Sequence, residues 1–432
     1  MVSLVLAALA VSVVGAFAVP SLRERLWPVD HRVADTAAPE HGVPASVSEV
    51  AWRWRPPGNE VVDTVLPVPG GAVAVLDSGV VALDGPSGEE RWHYRRSDAI
   101  VRSAGVTPDG AGIAVSYTDP AAEEGDPGET VVFLDGRTGR LRAEYEPEAL
   151  PQEPGPSRFA HVSDEVFLAP GEDPLAVEAF ALVDGEPVWS HEGGGAGEAG
   201  PLVTTGDAVA ATAVLTRGSG TGEEHVLVAV GVDAARGDLL WEEEYPVSDF
   251  GDETVEVRYE PSWEALHLGF VEPGGGPVHL LVDPSTGRVL ARDSRYPFWG
   301  LEDGYVVRTP DSGGGDRVRY SHVRFDGSTS GETVAGNAVG DADLYPGLAT
   351  GEAVLRLRYL GDDGVTRAPV TVEALPWDGE PYTIDPGLGT AGWQAGDGTV
   401  PVDTYPPALL AVPGAVVVLD KDTWATELVG LT

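Results

Sequence analysis

The sequence predicts an all-β fold built from one four-stranded unit repeated around a ring, and three observations predict it. The stretch "ALDGPSGEERW", Ala82 to Trp92, recurs along the chain as an apolar run, an Asp, a glycine-bounded turn and a further strand. Its copies stand about 50 residues apart. Between them lie short runs rich in Val and Leu, such as "GAVAVLDSG" and "DAVAATAVL", punctuated by Gly, Pro and Asp, and no stretch after Pro20 carries a sustained helical period. About four short strands in each such period describe a β-propeller, whose blades are four-stranded sheets set radially around an axis. Counting the copies gives eight blades, or alternatively seven if the faintest is discounted.

The chain opens on Val2 to Val19, an uninterrupted apolar run ending at Pro20 and long enough, as a helix, to span a bilayer. Two readings stay open for residues 1–19. Ala16, Phe17 and Ala18 form an A-x-A-like cleavage site, which makes the run a signal peptide; uncleaved, the same run is a signal-anchor. Arg23, Arg25 and Arg32 follow it and no basic residue precedes it, a bias that large domains override. Residues 20–48 mix Pro, Ala and charges without apolar periodicity and read as a flexible linker. The propeller is expected from 49 to 432, at the plasma membrane with the ring outside the cytoplasm, or secreted.

The repeat itself is clearest in its first five copies. Asp84, Gly88 and Trp92 recur as Asp135 and Gly139, as Asp184 and Trp189 in a shortened copy, as Asp233, Gly237 and Trp241, and as Asp283 and Gly287. Later copies fade: Asp326 is followed by Gly331 one residue late, the copy around Leu375 is barely recognisable, and Asp420 marks the last. In this reading "VVALD" is the third strand of a blade, "DGPSG" a tight turn and "EERWHY" the outer fourth strand. Asp bonds its own turn, Gly88 supplies a positive φ that a side chain resists, and Trp92, Trp189 and Trp241 pack between neighbouring blades. Ala143 and Ala291 stand at the tryptophan position in their copies.

The strand, the "LD-x-x-[ST]-G" turn and the downstream Trp resemble the repeats of the pyrroloquinoline quinone (PQQ)-like β-propellers, a superfamily that includes quinoprotein dehydrogenases and the lipoprotein scaffold of outer-membrane protein assembly. The resemblance spans about Glu49 to Thr432 and is closer to the scaffold than to the enzymes. It implies that "EVAWRWRP", Glu49 to Pro56, is lent to the last blade to close the ring. It also implies what an enzyme of the family needs: a tryptophan floor, a vicinal disulfide and a calcium ion held by carboxylate and amide ligands. The chain has no cysteine and only Asn59 and Asn337 as asparagines, so no PQQ and no other cofactor is expected.

Other chemistry finds little support. Absent cysteine excludes disulfides and thiolate catalysis. With 69 acidic against 27 basic residues, a formal charge of −42, the protein's field repels nucleic acid. Nine scattered histidines lack metal-binding spacing, and no G-x-S-x-G elbow is present. "GAGEAG", Gly195 to Gly200, matches G-x-G-x-x-G without the strand-to-helix context that a dinucleotide needs. The acidic loops from Asp119 and from Gly340 lack EF-hand spacing. No catalytic, cofactor or metal residue is therefore assigned. The expected function is a monomeric, non-catalytic scaffold for a protein or peptide partner, with membrane contact through the N-terminal segment. The alternative is an enzyme with its site in the central funnel.

Overall fold

The structure, a computed structural model, describes residues 28–120, 129–146, 161–195, 197–200, 202–217, 224–248, 255–260, 265–311, 317–335, 347–359, 370–388, 408–422 and 425–432. The apolar run, the acidic loops after Asp119 and Gly340 and residues 20–27 lie outside these. Among the described residues there are eight sheets, joined strand to strand as antiparallel meanders. We number the blades 1 to 8 and letter the strands a to d from the axis outward.

Blade 1 is Val62–Val68, Gly71–Leu76, Gly79–Asp84 and Glu90–Arg96; blade 2 is Ile100–Val106, Gly112–Thr118, Glu129–Asp135 and Leu141–Tyr145. Among the described residues blade 3 has three strands, Val166–Pro170, Val177–Ala181 and Pro187–His191, with a single bridge between Val162 and Phe167 where strand a falls in the other blades. Blade 4 is the longest, with ten-residue b and c strands, Ala208–Arg217 and Glu224–Asp233, and a nine-residue d strand, Leu239–Val247. Its a strand is split into Gly197–Ala199 and Val203–Thr204, so "GAGEAG" runs into a strand and not a helix. Blades 5 and 6 have four strands each, 255–293 and 297–335, as has blade 7, 348–384. Blade 8 takes Ala408–Val412, Ala415–Asp422 and Ala425–Leu431 from the C-terminus and Val50–Trp54 from the N-terminal side.

The ring closes through its buried layers. Val and Leu dominate the b and c strands, and burial on both faces gives them runs without alternation: Gly71–Leu76 is buried at every residue. Each blade then shares an apolar layer with the next. Val73, Val75 and Val80 of blade 1 meet Ile113 and Val115 of blade 2, and the series continues round to the layer in which Val412 and Val417 of blade 8 meet Val62 and Ala72 of blade 1. The remaining six interfaces have their own layers. First strands of neighbouring blades touch at 8/1, 1/2, 6/7 and 7/8, which places strand a at the axis.

Val50–Trp54 pairs antiparallel with Ala425–Leu431, setting Trp52 opposite Gly430. Blade 8 thus gains its outer strand from the segment expected to supply it. One repeat position is corrected here. Asp420 lies in strand b of blade 8, not at the end of a c strand, so the last blade has no copy of the turn: its c–d connection falls between the two ends of the propeller.

The linker reading is corrected over residues 28–48. Val29–Arg32 forms a fifth strand outside strand d of blade 1, antiparallel to Glu90–Arg96. Beyond it, Ala34 N–H donates to Thr138 O in blade 2, His41 N–H to Pro69 O in blade 1, and Gly42 O accepts from Gly414 N–H in blade 8. Ala45 O accepts from Glu352 N–H in blade 7, and Val47 is buried in the 7/8 layer. The segment is a strap laid over the a–b turns of blades 1, 8 and 7. Its pairing is made by backbone groups and not by an apolar stripe, which is why periodicity did not reveal it.

Candidate functional site

The repeated turn is assembled from its own backbone. Asp135 N–H donates to Arg140 O at 2.9 Å and Gly139 N–H to Asp135 O at 2.7 Å, while the Asp135 carboxylate accepts from Arg137 N–H, Thr138 N–H and Thr138 Oγ1 at 3.1, 3.0 and 2.9 Å. Asp84, Asp233 and Asp283 repeat the backbone pair and accept from their own turns. Burial pushes the Asp135 carboxyl up, but hydrogen bonds from Arg142 and Thr138 and the Arg142 charge outweigh it and hold its pKa below 3.8. Asp283 is lowered the same way: burial raises it, and Ser285 and Thr286 prevail.

In blades 1 to 5 the turn glycine is the seat of an aromatic ring from the preceding blade. Gly139 has φ +70°, and a Cβ there would come within 2.5 Å of the Trp92 ring. Two constraints thus exclude a side chain: the left-handed backbone and the ring lying on it. Trp52 of blade 8 lies on Gly88, Trp92 on Gly139, Tyr145 of blade 2 on Gly185, Trp189 on Gly237 and Trp241 on Gly287. The indole N–H groups reach the turn beneath: Trp241 Nε1 donates to Pro284 O at 2.8 Å, Trp189 Nε1 to Ala234 O at 3.1 Å and Trp52 Nε1 to Gly85 O at 2.6 Å. These docks cover five consecutive interfaces, from 8/1 to 4/5.

A second regularity accompanies them. The residue paired with each tryptophan on strand c is small: Gly430 opposite Trp52, Ala82 opposite Trp92, Ala179 opposite Trp189 and Gly231 opposite Trp241. Where the outer strand carries Ala143 or Ala291, the partner is large, Phe133 or Leu281. The bulky member of the pair changes strands and the layer stays filled. This signal was present in the sequence two residues before Asp84, Asp135, Asp233 and Asp283.

Blade 3 shows where the repeat misleads. Gly185 N–H donates to Ala181 O and Ala181 N–H to Glu186 O, so Ala181 holds the place of Asp84. Asp184 lies three residues later in the same turn, where it accepts from Glu186 N–H at 3.1 Å. In blade 6 the turn is shorter: Gly327, φ +84°, is its glycine, and Gly331 lies in strand d against Trp377.

Interfaces 5/6 and 6/7 are built differently. His279, Tyr296, Phe298, Trp299 and Tyr320 form a chain of ring contacts with centroids 5.1 to 5.8 Å apart. At its start His267 Nε2 and His279 Nδ1 are 3.1 Å apart, and the Tyr296 hydroxyl donates to Glu256 at 2.6 Å. These histidines are twelve apart in sequence and meet because strands b and c set Gly269 opposite His279. Sequence spacing alone missed the pair. Among the described residues no group of three His, Asp or Glu is placed to hold a metal ion.

Carboxylates gather on the a–b turns. Asp109, Asp164 and Asp207 stand on those of blades 2, 3 and 4, with Asp109 N–H donating to Asp164 Oδ1 at 3.3 Å. Burial raises the Asp164 carboxyl above 3.8, and the charges of Asp109 and Asp207 add to it against the hydrogen bond from the Asp109 backbone.

These features define an eight-bladed β-propeller. No family model matches the chain, and no curated protein does. Solved structures similar to it include BamB from Moraxella catarrhalis, at 14% identity and TM-score 0.47 over 89% of this chain and 100% of that one. The WD40 domain of SCAP from fission yeast has 10% identity and TM-score 0.41 over 94% and 95%. The β-propeller domain of the Trilobed protease from Pyrococcus furiosus has 10% and 0.32 over 86% and 95%. At such identities the likeness concerns fold alone, and the pairing of the eight sheets carries the assignment here.

Proposed function

We propose that the chain is a non-catalytic scaffold that presents a propeller, residues 49–432, to a protein or peptide partner outside the cytoplasm. Residues 1–19 hold it at the plasma membrane or direct its secretion, and it works as a monomer. One observation carries the reading: the residues that look most like a site, the repeated Asp, Gly and Trp, are all engaged in the turns and docks that join the blades. What differs between blades is left to the turns and outer edges, the places where propellers of one architecture diverge in purpose. The strong negative charge suits partners of low or opposite charge.

Cross-linking in the native cell, followed by recovery of the cross-linked species, tests the reading. A reproducible protein partner is expected; its absence across repeated captures overturns the scaffold. Protease treatment of intact cells tests the location, with degradation of the propeller expected. Sequencing the N-terminus of the mature chain separates a retained anchor from a cleaved signal.

A further inference from the structure

Blade 1 shows what an outer edge of this ring accepts. Val29–Arg32 adds to strand d through an antiparallel ladder, Val29 opposite Arg96 and Arg32 opposite His93. Charge pairs across the new edge help to fix it: Asp30 lies 3.0 Å from Arg95, and Arg32 3.5 Å from Glu90. All four residues of the added strand are exposed, so the backbone ladder and the charges hold it without burying an apolar side chain.

Among the described residues, blade 4 offers the same geometry without an added strand. Its d strand, Leu239–Val247, is the last of its sheet and has nine residues, against five in the d strands of blades 2, 3 and 5. It reads LLWEEEYPV, with Glu242, Glu243 and Glu244 exposed beside the exposed pair Leu239 and Leu240. Arg217 pairs with Glu244, and among the described residues Glu242 and Glu243 have no cationic partner. Such a row of charge guards an edge against its own kind. A second copy, with the same three glutamates and a net charge of −42, is repelled. A basic strand is attracted.

From the paired edge of blade 1 and the acidic, longer edge of blade 4, we infer that blade 4 binds an extended segment of a partner protein by strand addition, with Lys or Arg set opposite Glu242 and Glu244. The inference rests on the scaffold reading and names its partner's chemistry. Main-chain hydrogen bonds supply the affinity, and alternate side chains of the incoming strand supply the selection. Residues on one face of that strand meet Glu242 and Glu244, and those on the other meet Glu243.

The test uses the full chain and a labelled nine-residue peptide alternating Lys with Val and Thr, followed by fluorescence anisotropy. Binding is expected that weakens at least about tenfold when salt rises from about 50 to about 500 mM. It should fall by a similar factor in E242K/E243K, whose exposed sites leave the fold intact by circular dichroism. A peptide N-methylated at alternate residues keeps its charges but cannot form the ladder, and should not bind. Equal binding of the methylated peptide overturns strand addition, and unchanged binding to E242K/E243K removes the site from blade 4. Either result leaves the scaffold reading standing if cross-linking recovers a partner; failure of cross-linking removes the scaffold reading itself.

Discussion

Interfaces 8/1 to 4/5 and interfaces 5/6 and 6/7 solve one problem in two ways. In the first group an outer-strand aromatic ring lies on the turn glycine of the next blade, and three of the indoles also donate to that turn. In the second, rings from strand c of blade 5, from the connection into blade 6 and from strands a and c of blade 6 meet in series from His279 to Tyr320, and Trp377 lies back against Gly331. A tryptophan dock needs three residues in concert: the ring, a positive-φ glycine one blade on, and a small residue across the strand pair. Blade 5 fails the first requirement at Ala291 and refills the volume with Leu281. The lesson is that the repeat encodes interfaces between blades more strictly than it encodes blades.

The largest effect is expected where both ends of the propeller meet. Deleting Val50–Trp54 removes the outer strand of blade 8 and the Trp52 dock together, leaving the edge of Ala425–Leu431 uncovered. We expect loss of the cooperative unfolding transition by calorimetry. A sharp transition after deletion would show that the apolar layers alone close the ring.

Next is the contrast between a docked and an undocked tryptophan. Trp92 is 1% exposed in the 1/2 layer, whereas Trp377 is only partly buried. Trp92→Ala should cost about 3 to 5 kcal/mol and Trp377→Ala distinctly less, read as urea midpoints. Equal losses would erase the distinction between the two groups. The exchange of volume across the strand pair sharpens it further. Ala143→Trp alone overpacks by about 1 to 3 kcal/mol and Phe133→Ala alone leaves a cavity, but the double variant reproduces the pairing of Trp92 with Ala82. A coupling energy of at least about 1 kcal/mol between the two is expected from the double-mutant cycle. Additive losses would mean that the two positions do not share one volume.

How far the sequence discloses all this follows the same division. Trp92, Gly139 and their copies are legible because a dock imposes residue types at fixed spacing, and spacing survives without coordinates. Blade 3 is misread because "LVDG" contains an Asp three residues beyond the hinge, and only the bond from Gly185 N–H to Ala181 O shows which residue holds the turn. Asp420 suggests an eighth turn where strand b happens to end in acid. The strand Val29–Arg32 is illegible in principle: its apolar content is too low for a pattern, and its partners, Arg95 and Glu90, are about sixty residues away. The contact of His267 with His279 is hidden likewise, because it depends on the register between two strands.

The smallest effects come from two aspartates whose turns lie in the docked part of the ring but whose signs are opposite. Asp135, in a c–d turn, has its pKa lowered because Arg142 and Thr138 overcome the burial that raises it. Its ionised form is favoured by folding, so its contribution is complete above the unfolded value of about 3.9 and is lost as pH falls through the lower folded value. Asp135→Asn should therefore destabilise the protein at pH 7, and the difference should shrink toward pH 2.

Asp164, on an a–b turn, is raised by burial and by the Asp109 and Asp207 charges. Folding favours its protonated form, so the penalty is absent below about 3.9, develops as pH rises toward the folded value and is complete above it. Asp164→Asn should raise the midpoint at pH 7 by about 1 °C or less and have no effect near pH 3. Asn keeps an oxygen able to accept from Asp109 N–H, so the hydrogen bond at 3.3 Å is retained and only the charge is removed. A shift of the same size at both pH values would assign the effect to packing. A destabilisation at pH 7 would mean that the carboxylates of blades 2, 3 and 4 support one another and do not repel.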